Sequence, residues 1–239
     1  VLAKDGGSGF LGALLAGFIA GYLVVGLKKL FDSLPDSLEG LKPVLLYPFF
    51  GILLIGAILI FIVNPPVAAL NDGITNLLNS MGSTSKVLLG LVLGGMMAID
   101  MGGPFNKAAY VFGTASLATG NNDIMAAVMI GGMVPPLAIA LATTFFKNKF
   151  TSRERQSGIT NYIMGISFIT EGAIPFAAAD PLRVIPSCVI GSAIAGGLSM
   201  FFGCQTLAPH GGLFVVPVMT NPFMFIVSLI IGSLVAMVL

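Results

Sequence analysis

The sequence has very little charge. Of its 239 residues, 56% are hydrophobic and only 9% are Asp, Glu, Lys or Arg. A soluble domain carries about a quarter charged residues, because charge covers its wet surface. The deficit excludes an ordinary soluble domain, and a net charge of +1 offers nothing that favours nucleic acid as a partner. The composition predicts a protein surrounded by membrane lipid.

The charge is missing from long blocks. No charged residue occurs in residues 6–27, 43–71, 124–146 and 184–239. A bilayer core about 30 Å thick needs roughly 20 apolar residues of helix. The blocks therefore predict an all-α, polytopic transmembrane helical bundle. The predicted spans are residues 6–27, 44–63, 124–146, 184–202 and 222–239.

Cysteine and histidine are also scarce. Cys188 and Cys204 both lie in apolar sequence, which favours buried thiols over a disulfide. His210 is the one histidine, with no further His and no Cys at ligand spacing, so we expect no metal. Because the sequence has no phosphate-binding loop or dinucleotide fingerprint, we expect no cofactor.

Glycine and proline, by contrast, are abundant, with 31 and 14 residues. Pro135 and Pro136 interrupt a predicted span, and residues 87–99 and 108–119 are too short for upright spans. Helix breaks in a membrane need partners for the freed backbone groups. The pattern predicts broken helices and re-entrant hairpins. Residues 31–41 and 67–81 show amphipathic helical spacing, typical of a helix on the membrane surface or of one packed on other spans.

Basic residues in the short loops indicate orientation. The loop at residues 147–156 carries four of them, so the positive-inside rule places it in the cytoplasm. The chain starts with Val, and its last apolar segment reaches Leu239 without a polar cap. We interpret it as an internal piece of a longer protein.

The first polar junction is DMGGPFNKAAY, residues 100–110. Two interpretations stay open. It is either an interfacial turn from which Asp100 and Lys107 extend to water, or a broken helix that presents its backbone and Asn106 to a polar ligand.

The second junction contains Glu171, with no charged residue from Thr160 to Thr170 or from Gly172 to Ala179. An acidic residue at the centre of a span costs roughly 2.5–3.5 kcal/mol. Since Gly172 and Pro175 follow, we expect the helix to be interrupted there and Glu171 to line a polar cavity. The alternative is a structural Glu171 that caps a helix end or pairs with Arg183.

The third junction holds His210 between Pro209 and two glycines, inside a long stretch without formal charge. A lone histidine is usually structural. Here the surrounding sequence cannot continue a helix, which favours a role in a site.

These junctions resemble the fructose-specific enzyme IIC domain of the bacterial phosphoenolpyruvate-dependent sugar phosphotransferase system. The matching strings are GGMMAIDMGGPFNKAAYVFG (94–113), ITEGAIPFAAADPLRVIP (169–186) and APHGGLFVVP (208–217). The resemblance implies a multi-pass permease of the bacterial inner membrane, and it implies that the chain lacks the family's first membrane helices. Residues 1–239 would form one domain, with a scaffold and dimerisation part at 1–86 and a sugar-binding part at 87–239.

The resemblance also implies an activity: fructose enters and is phosphorylated to fructose 1-phosphate by phosphorylated enzyme IIB, whose cysteine loop is absent here. The expected partners are fructose, enzyme IIB, membrane lipid and a second copy of the chain. Glu171 would be the catalytic and sugar-binding carboxylate, and further sugar-binding candidates are His210, Asn106, Lys107, Asp100 and Thr170. The alternative function is a proton- or sodium-coupled secondary transporter of a small polar solute.

Overall fold

The computed structural model describes residues 9–69 and 83–239. Within those residues every regular element is a helix, and the only β-type pairing is an isolated bridge between Gln205 and Thr220. The predicted all-α class is confirmed. The chain divides into two compact units, residues 1–74 and residues 75–239.

The first unit contains α1 (Gly9–Phe31) and α2 (Lys42–Ala69). Helix α2 widens to π-helical turns at Lys42–Leu46 and Leu59–Val63. The predicted amphipathic helix at 31–41 is wrong: α1 ends at Phe31, and only a 3₁₀ turn, Asp36–Leu38, follows. Pro35 disfavours helix for the residue before it, which explains the interruption. The second amphipathic prediction, 67–81, lies mostly outside the described residues.

The second unit is a helical bundle around one central helix. Its helices are α3 (Ser83–Ile99), α4 (Pro104–Ala118), α5 (Asn122–Phe145), α6 (Ser152–Ile166), α7 (Ile174–Ala179), α8 (Pro181–Phe201) and α9 (Pro222–Val238). Helix α5 contacts α3, α4, α6, α8 and α9. Every residue from Ile124 to Ala140 is buried, so α5 is apolar on all sides because protein surrounds it.

Helices α2, α5 and α8 are long and apolar enough to cross a membrane. They coincide with three of the predicted spans, while α1 and the shorter apolar α9 coincide with the other two. The chain is a multi-pass membrane protein.

Glycines let the central helices approach closely. A Cβ on Gly131 of α5 would lie 2.6 Å from Gly94 Cα of α3, and a Cβ on Gly232 of α9 would lie 2.6 Å from the Gly191 oxygen of α8. The hydrophobic effect does not drive helices together within lipid, so association depends on the close packing that small residues at such crossings allow.

Helix α5 continues through Pro135 and Pro136 without a break. A proline has no N–H, so the carbonyl four residues earlier loses its helical partner. Here those carbonyls belong to Gly131 and Gly132. Ser192 Oγ donates to Gly131 O at 2.8 Å, and Thr170 Oγ1 donates to Gly132 O at 2.9 Å. Neighbouring segments thus supply the partners that the two freed carbonyls need in a membrane, and the predicted break at Pro135 and Pro136 does not occur.

Helix α6 begins with a capping box formed by Thr151 and Glu154. The Glu154 N–H donates to Thr151 Oγ1 at 3.3 Å, and the Thr151 N–H donates to Glu154 Oε2 at 2.7 Å. The backbone N–H and the hydroxyl of Thr151 together lower the pKa of Glu154 below its usual 4.5. These bonds satisfy groups that a helix start otherwise leaves unpaired.

We expect this cap to make stability depend on pH. Because the folded pKa of Glu154 is lowered, its contribution is present above about pH 4.5 and disappears as the pH falls through the folded pKa. Glu154→Ala should therefore cost about 0.3–1 kcal/mol near pH 7, the usual contribution of a carboxylate at a helix N-terminus, and less near pH 3. Thermal unfolding in detergent at both pH values measures this, with Arg153→Ala, at the exposed neighbouring position, as the control. An equal cost for Glu154→Ala at both pH values would contradict the expectation.

Candidate functional site

The polar junctions of the sequence meet around one cavity of the second unit. Its volume is about 430 Å³. The lining residues are Met97, Gly102, Asn106, Lys107, Tyr110, Phe168, Ile169, Thr170, Glu171 and His210. The first junction and the 3₁₀ turn Thr170–Ala173 between α6 and α7 both contribute to the wall, and the loop before the 3₁₀ segment Gly212–Val218 contributes the histidine.

Glu171 lies exposed to this cavity, in the 3₁₀ turn. Its carboxylate packs against Gly102, where φ is +115° and a Cβ would lie 3.0 Å from Glu171 Oε1. Glycine at this position thus provides both the backbone conformation and the space.

The helix break lies earlier than Gly172 and Pro175, where the sequence placed it. Helix α6 ends at Ile166, Phe168 adopts a left-handed φ of 61°, and Pro175 falls in the first turn of α7. Proline is compatible with a first turn because no helical partner awaits its missing N–H. The left-handed backbone at Phe168 follows the end of α6, and nothing in the sequence pattern indicates it.

Glu171 does not pair with Arg183, so that alternative is wrong. Arg183 Nη1 lies 3.4 Å from Asp180 Oδ2, next to the start of α8. This pair is local to the α7–α8 junction and does not line the cavity.

Asp100 takes a different position from the other candidates. Its Oδ2 accepts the Phe105 N–H at 2.6 Å, and its Oδ1 accepts the Asn106 N–H at 2.9 Å. A carboxylate there complements the positive end of α4. Because Asp100 is engaged in this way and does not line the cavity, we do not carry it forward as a direct ligand.

Asn106 is buried on the cavity wall. Its Nδ2 donates to the Met97 carbonyl at 2.7 Å, at the end of α3. One N–H of the amide therefore joins α3 to α4, and the amide oxygen and the second N–H make no hydrogen bond within the described residues and can serve a ligand.

His210 lies against two aromatic rings. Its imidazole centroid is 4.8 Å from that of Phe168 and 6.5 Å from that of Tyr110. Gly212, with φ of +56°, brings the loop close to α6: a Cβ there would overlap the Ile166 oxygen and lie 2.9 Å from Phe168 N. Tyr110 and Phe168 were not among the sequence candidates, because an aromatic residue in an apolar span carries no separate signal.

The carboxylate, the ammonium and the imidazole on the wall have no polar partner among the residues that the structure describes. Across residues 9–69 and 83–239, the side chains of Glu171, Lys107 and His210 make no hydrogen bond or ion pair. A carboxylate, an ammonium and an imidazole without partners, beside aromatic rings, can bind hydroxyl groups and an anionic group of a small polar ligand.

Comparison with known proteins adds the family. The phosphotransferase system EIIC family matches residues 2–191. The chain is 57% identical to the PTS system fructose-specific EIIABC component of Bacillus subtilis, over 98% of this chain and 37% of the relative. It is also 57% identical to the fructose permease IIC component of Bacillus amyloliquefaciens, over 100% of this chain and 78% of the relative.

A more distant relative is the PTS system fructose-specific EIIC component of Haloferax volcanii, 45% identical over 100% of this chain and 64% of that protein. No solved structure matches the chain. The chain spans little more than a third of the length of the EIIABC component from Bacillus subtilis. The family match covers most of the sequence, and the chain belongs to the phosphotransferase system EIIC family.

Proposed function

We propose that this chain is the membrane part of a permease that binds fructose and moves it inward as it is phosphorylated to fructose 1-phosphate. The observation that carries the proposal is the cavity in which the side chains of Glu171, Lys107 and His210 make no hydrogen bond or ion pair among the described residues. The relatives are named as fructose-specific components, which supports this choice of sugar.

Glu171 would act on the sugar hydroxyl that receives phosphate. As the hydroxyl oxygen attacks phosphorus, its proton passes to the Glu171 carboxylate. The bond between phosphorus and the donor cysteine sulfur breaks, and the thiolate leaves on enzyme IIB. A carboxylate suits both tasks, since it accepts the hydroxyl hydrogen bond before transfer and the proton during transfer.

The phosphoryl charge must be met by other groups. A helix N-terminus would serve, but the Phe105 and Asn106 N–H groups of α4 already donate to Asp100. Lys107 and His210 carry the basic side chains of the cavity wall. We assign the phosphoryl group to them, because positioning and charge stabilisation supply most catalysis of phosphoryl transfer.

The donor would be phosphorylated enzyme IIB. Relatives named EIIABC and EIIB'BC components support this partner. We infer that residues 87–239 form the sugar-binding part, since every cavity residue lies there. The scaffold role of residues 1–86, the homodimer, the inner-membrane location and the cytoplasmic position of the loop at 147–156 stay predictions.

Uptake by membrane vesicles tests the proposal. A protease added to one side of the membrane identifies the face on which the loop at 147–156 is cleaved. We expect labelled fructose to accumulate as fructose 1-phosphate only when phosphorylated enzyme IIB is supplied on that face. Accumulation of unmodified fructose, driven by a proton or sodium gradient without the donor, would overturn the proposal in favour of the secondary transporter. Donor activity from the opposite side would overturn the predicted orientation. Gel filtration coupled to light scattering would test the homodimer.

A further inference from the structure

The turn that carries Glu171 is attached to the central helix at one of the two proline-freed carbonyls. Pro136 leaves Gly132 O without a helical N–H. Thr170 Oγ1 donates to this oxygen at 2.9 Å, and Thr170 is only 4% exposed. The hydrogen bond is therefore buried, and leaving a buried carbonyl unpaired is costly.

Gly132 also provides the space for this attachment. A Cβ at Gly132 would lie 2.8 Å from Thr170 Oγ1 and would overlap the Phe168 ring. On its other side, the turn contacts the first junction, since the Glu171 carboxylate packs on Gly102. The turn is thus fixed between α5 and the α3–α4 junction.

We propose that Thr170 is a positioning residue that holds the Glu171 carboxylate in the cavity through the carbonyl that Pro136 frees. The sequence predicted Thr170 as a direct sugar ligand. Its hydroxyl proton is instead donated to α5, so its effect on the sugar passes through the adjacent Glu171. This inference rests on the proposed function for its activity assay, and a second assay without sugar keeps the two separate.

The same helix offers a matched control. Pro135 frees the carbonyl of Gly131, and Ser192 Oγ donates to it at 2.8 Å. Ser192 is fully buried and does not line the cavity. The pair of Pro135 and Ser192 therefore repeats the chemistry of Pro136 and Thr170 without any link to Glu171.

The test compares Thr170→Val, Thr170→Ser, Pro136→Ala and the double variant Thr170→Val/Pro136→Ala. Thr170→Val keeps the shape and loses the donor. We expect a lower melting temperature and a fall of about tenfold to a hundredfold in fructose phosphorylation, whereas Thr170→Ser should retain both. In the double variant the backbone N–H gained at position 136 can bond Gly132 O. The melting temperature should therefore recover, while phosphorylation stays low because the turn is still unattached.

Ser192→Ala should lower the melting temperature and leave phosphorylation unchanged, and Pro135→Ala should offset that loss. Recovery of both stability and phosphorylation in the Thr170→Val/Pro136→Ala variant would overturn the positioning role. Wild-type phosphorylation in Thr170→Val would overturn it too.

The assay without sugar measures the rate at which a hydrophobic carbodiimide modifies Glu171, and mass spectrometry follows the modification. We expect at least a threefold increase in Thr170→Val and none in Ser192→Ala.

An unchanged carbodiimide rate in Thr170→Val overturns the inference whatever the sugar assay gives. If the unsubstituted protein neither binds nor phosphorylates fructose, the proposed function is wrong. A threefold increase in the carbodiimide modification rate of Thr170→Val would still support the attachment of the turn in that case.

Discussion

Replacing Glu171 with glutamine is expected to reduce fructose phosphorylation by about 10²–10⁴-fold, the usual contribution of a positioned acid or base. Glutamine keeps nearly the same shape beside Gly102, so the fold should be retained. It can still accept a hydrogen bond from a sugar hydroxyl, but it cannot take the proton. The measurement is the rate of fructose 1-phosphate formation with phosphorylated enzyme IIB as donor.

Binding and turnover separate the two roles of Glu171. If Glu171 is the base, Glu171→Gln lowers the turnover number while the Kd for fructose changes little. If it only orients the sugar, the Kd rises and turnover at saturating sugar persists. Asp180→Asn is the control, since Asp180 lies at the next junction and pairs with Arg183 at 3.4 Å, away from the cavity. Near-normal phosphorylation by Glu171→Gln would remove this residue from the mechanism.

The second large effect concerns two adjacent glycines of α3 that should respond in opposite ways. A Cβ on Gly94 would overlap the Ser192 oxygen and lie 3.2 Å from Gly196 Cα, so it meets the backbone of α8. Backbone cannot give way as a side chain can, and overpacking costs about 1–3 kcal/mol or more. Gly94→Ala should therefore lower the melting temperature by several degrees.

Gly95 is the matched control. A Cβ there would lie 3.6 Å from the Ala193 and Val189 side chains, an ordinary contact. Gly95→Ala should be neutral or stabilising, since alanine favours a helix over glycine by about 1 kcal/mol. Both variants are compared by thermal unfolding in the same detergent. Equal melting temperatures for the two variants would show that the close approach of α3 and α8 does not limit stability.

The charge-free blocks predicted where the apolar helices lie, because charge is excluded wherever lipid or a protein core surrounds a helix, and three of these helices are long enough to cross a membrane. Periodicity failed at residues 31–41, because Pro35 acts locally against a helix whatever the spacing of the apolar residues. The charge-free blocks do not distinguish a helix surrounded by lipid from a helix surrounded by protein. Helix α5 resembles a lipid-facing span in composition, yet its residues from Ile124 to Ala140 are all buried.

The site was predictable where polar residues stand out against apolar sequence. Glu171, Lys107, Asn106, Thr170 and His210 were all singled out, and all line the cavity. Asp100 was also singled out, but the sequence could not show that it caps α4. Phe168 and Tyr110 were missed, since their use depends on a left-handed backbone at Phe168 and on the approach of distant segments.

The prolines of α5 have a consequence for how the protein assembles. When α5 first enters the bilayer, Gly131 and Gly132 have carbonyl groups that Pro135 and Pro136 have deprived of partners, and hydrocarbon offers none. The hydroxyl groups that satisfy them arrive later in the chain, on Thr170 and Ser192. While the protein is being synthesised, α5 therefore carries two carbonyl groups that still lack hydrogen-bond donors. Both hydroxyl groups belong to the C-terminal half, so a chain that ends before Ser192 leaves the Gly131 carbonyl without this partner.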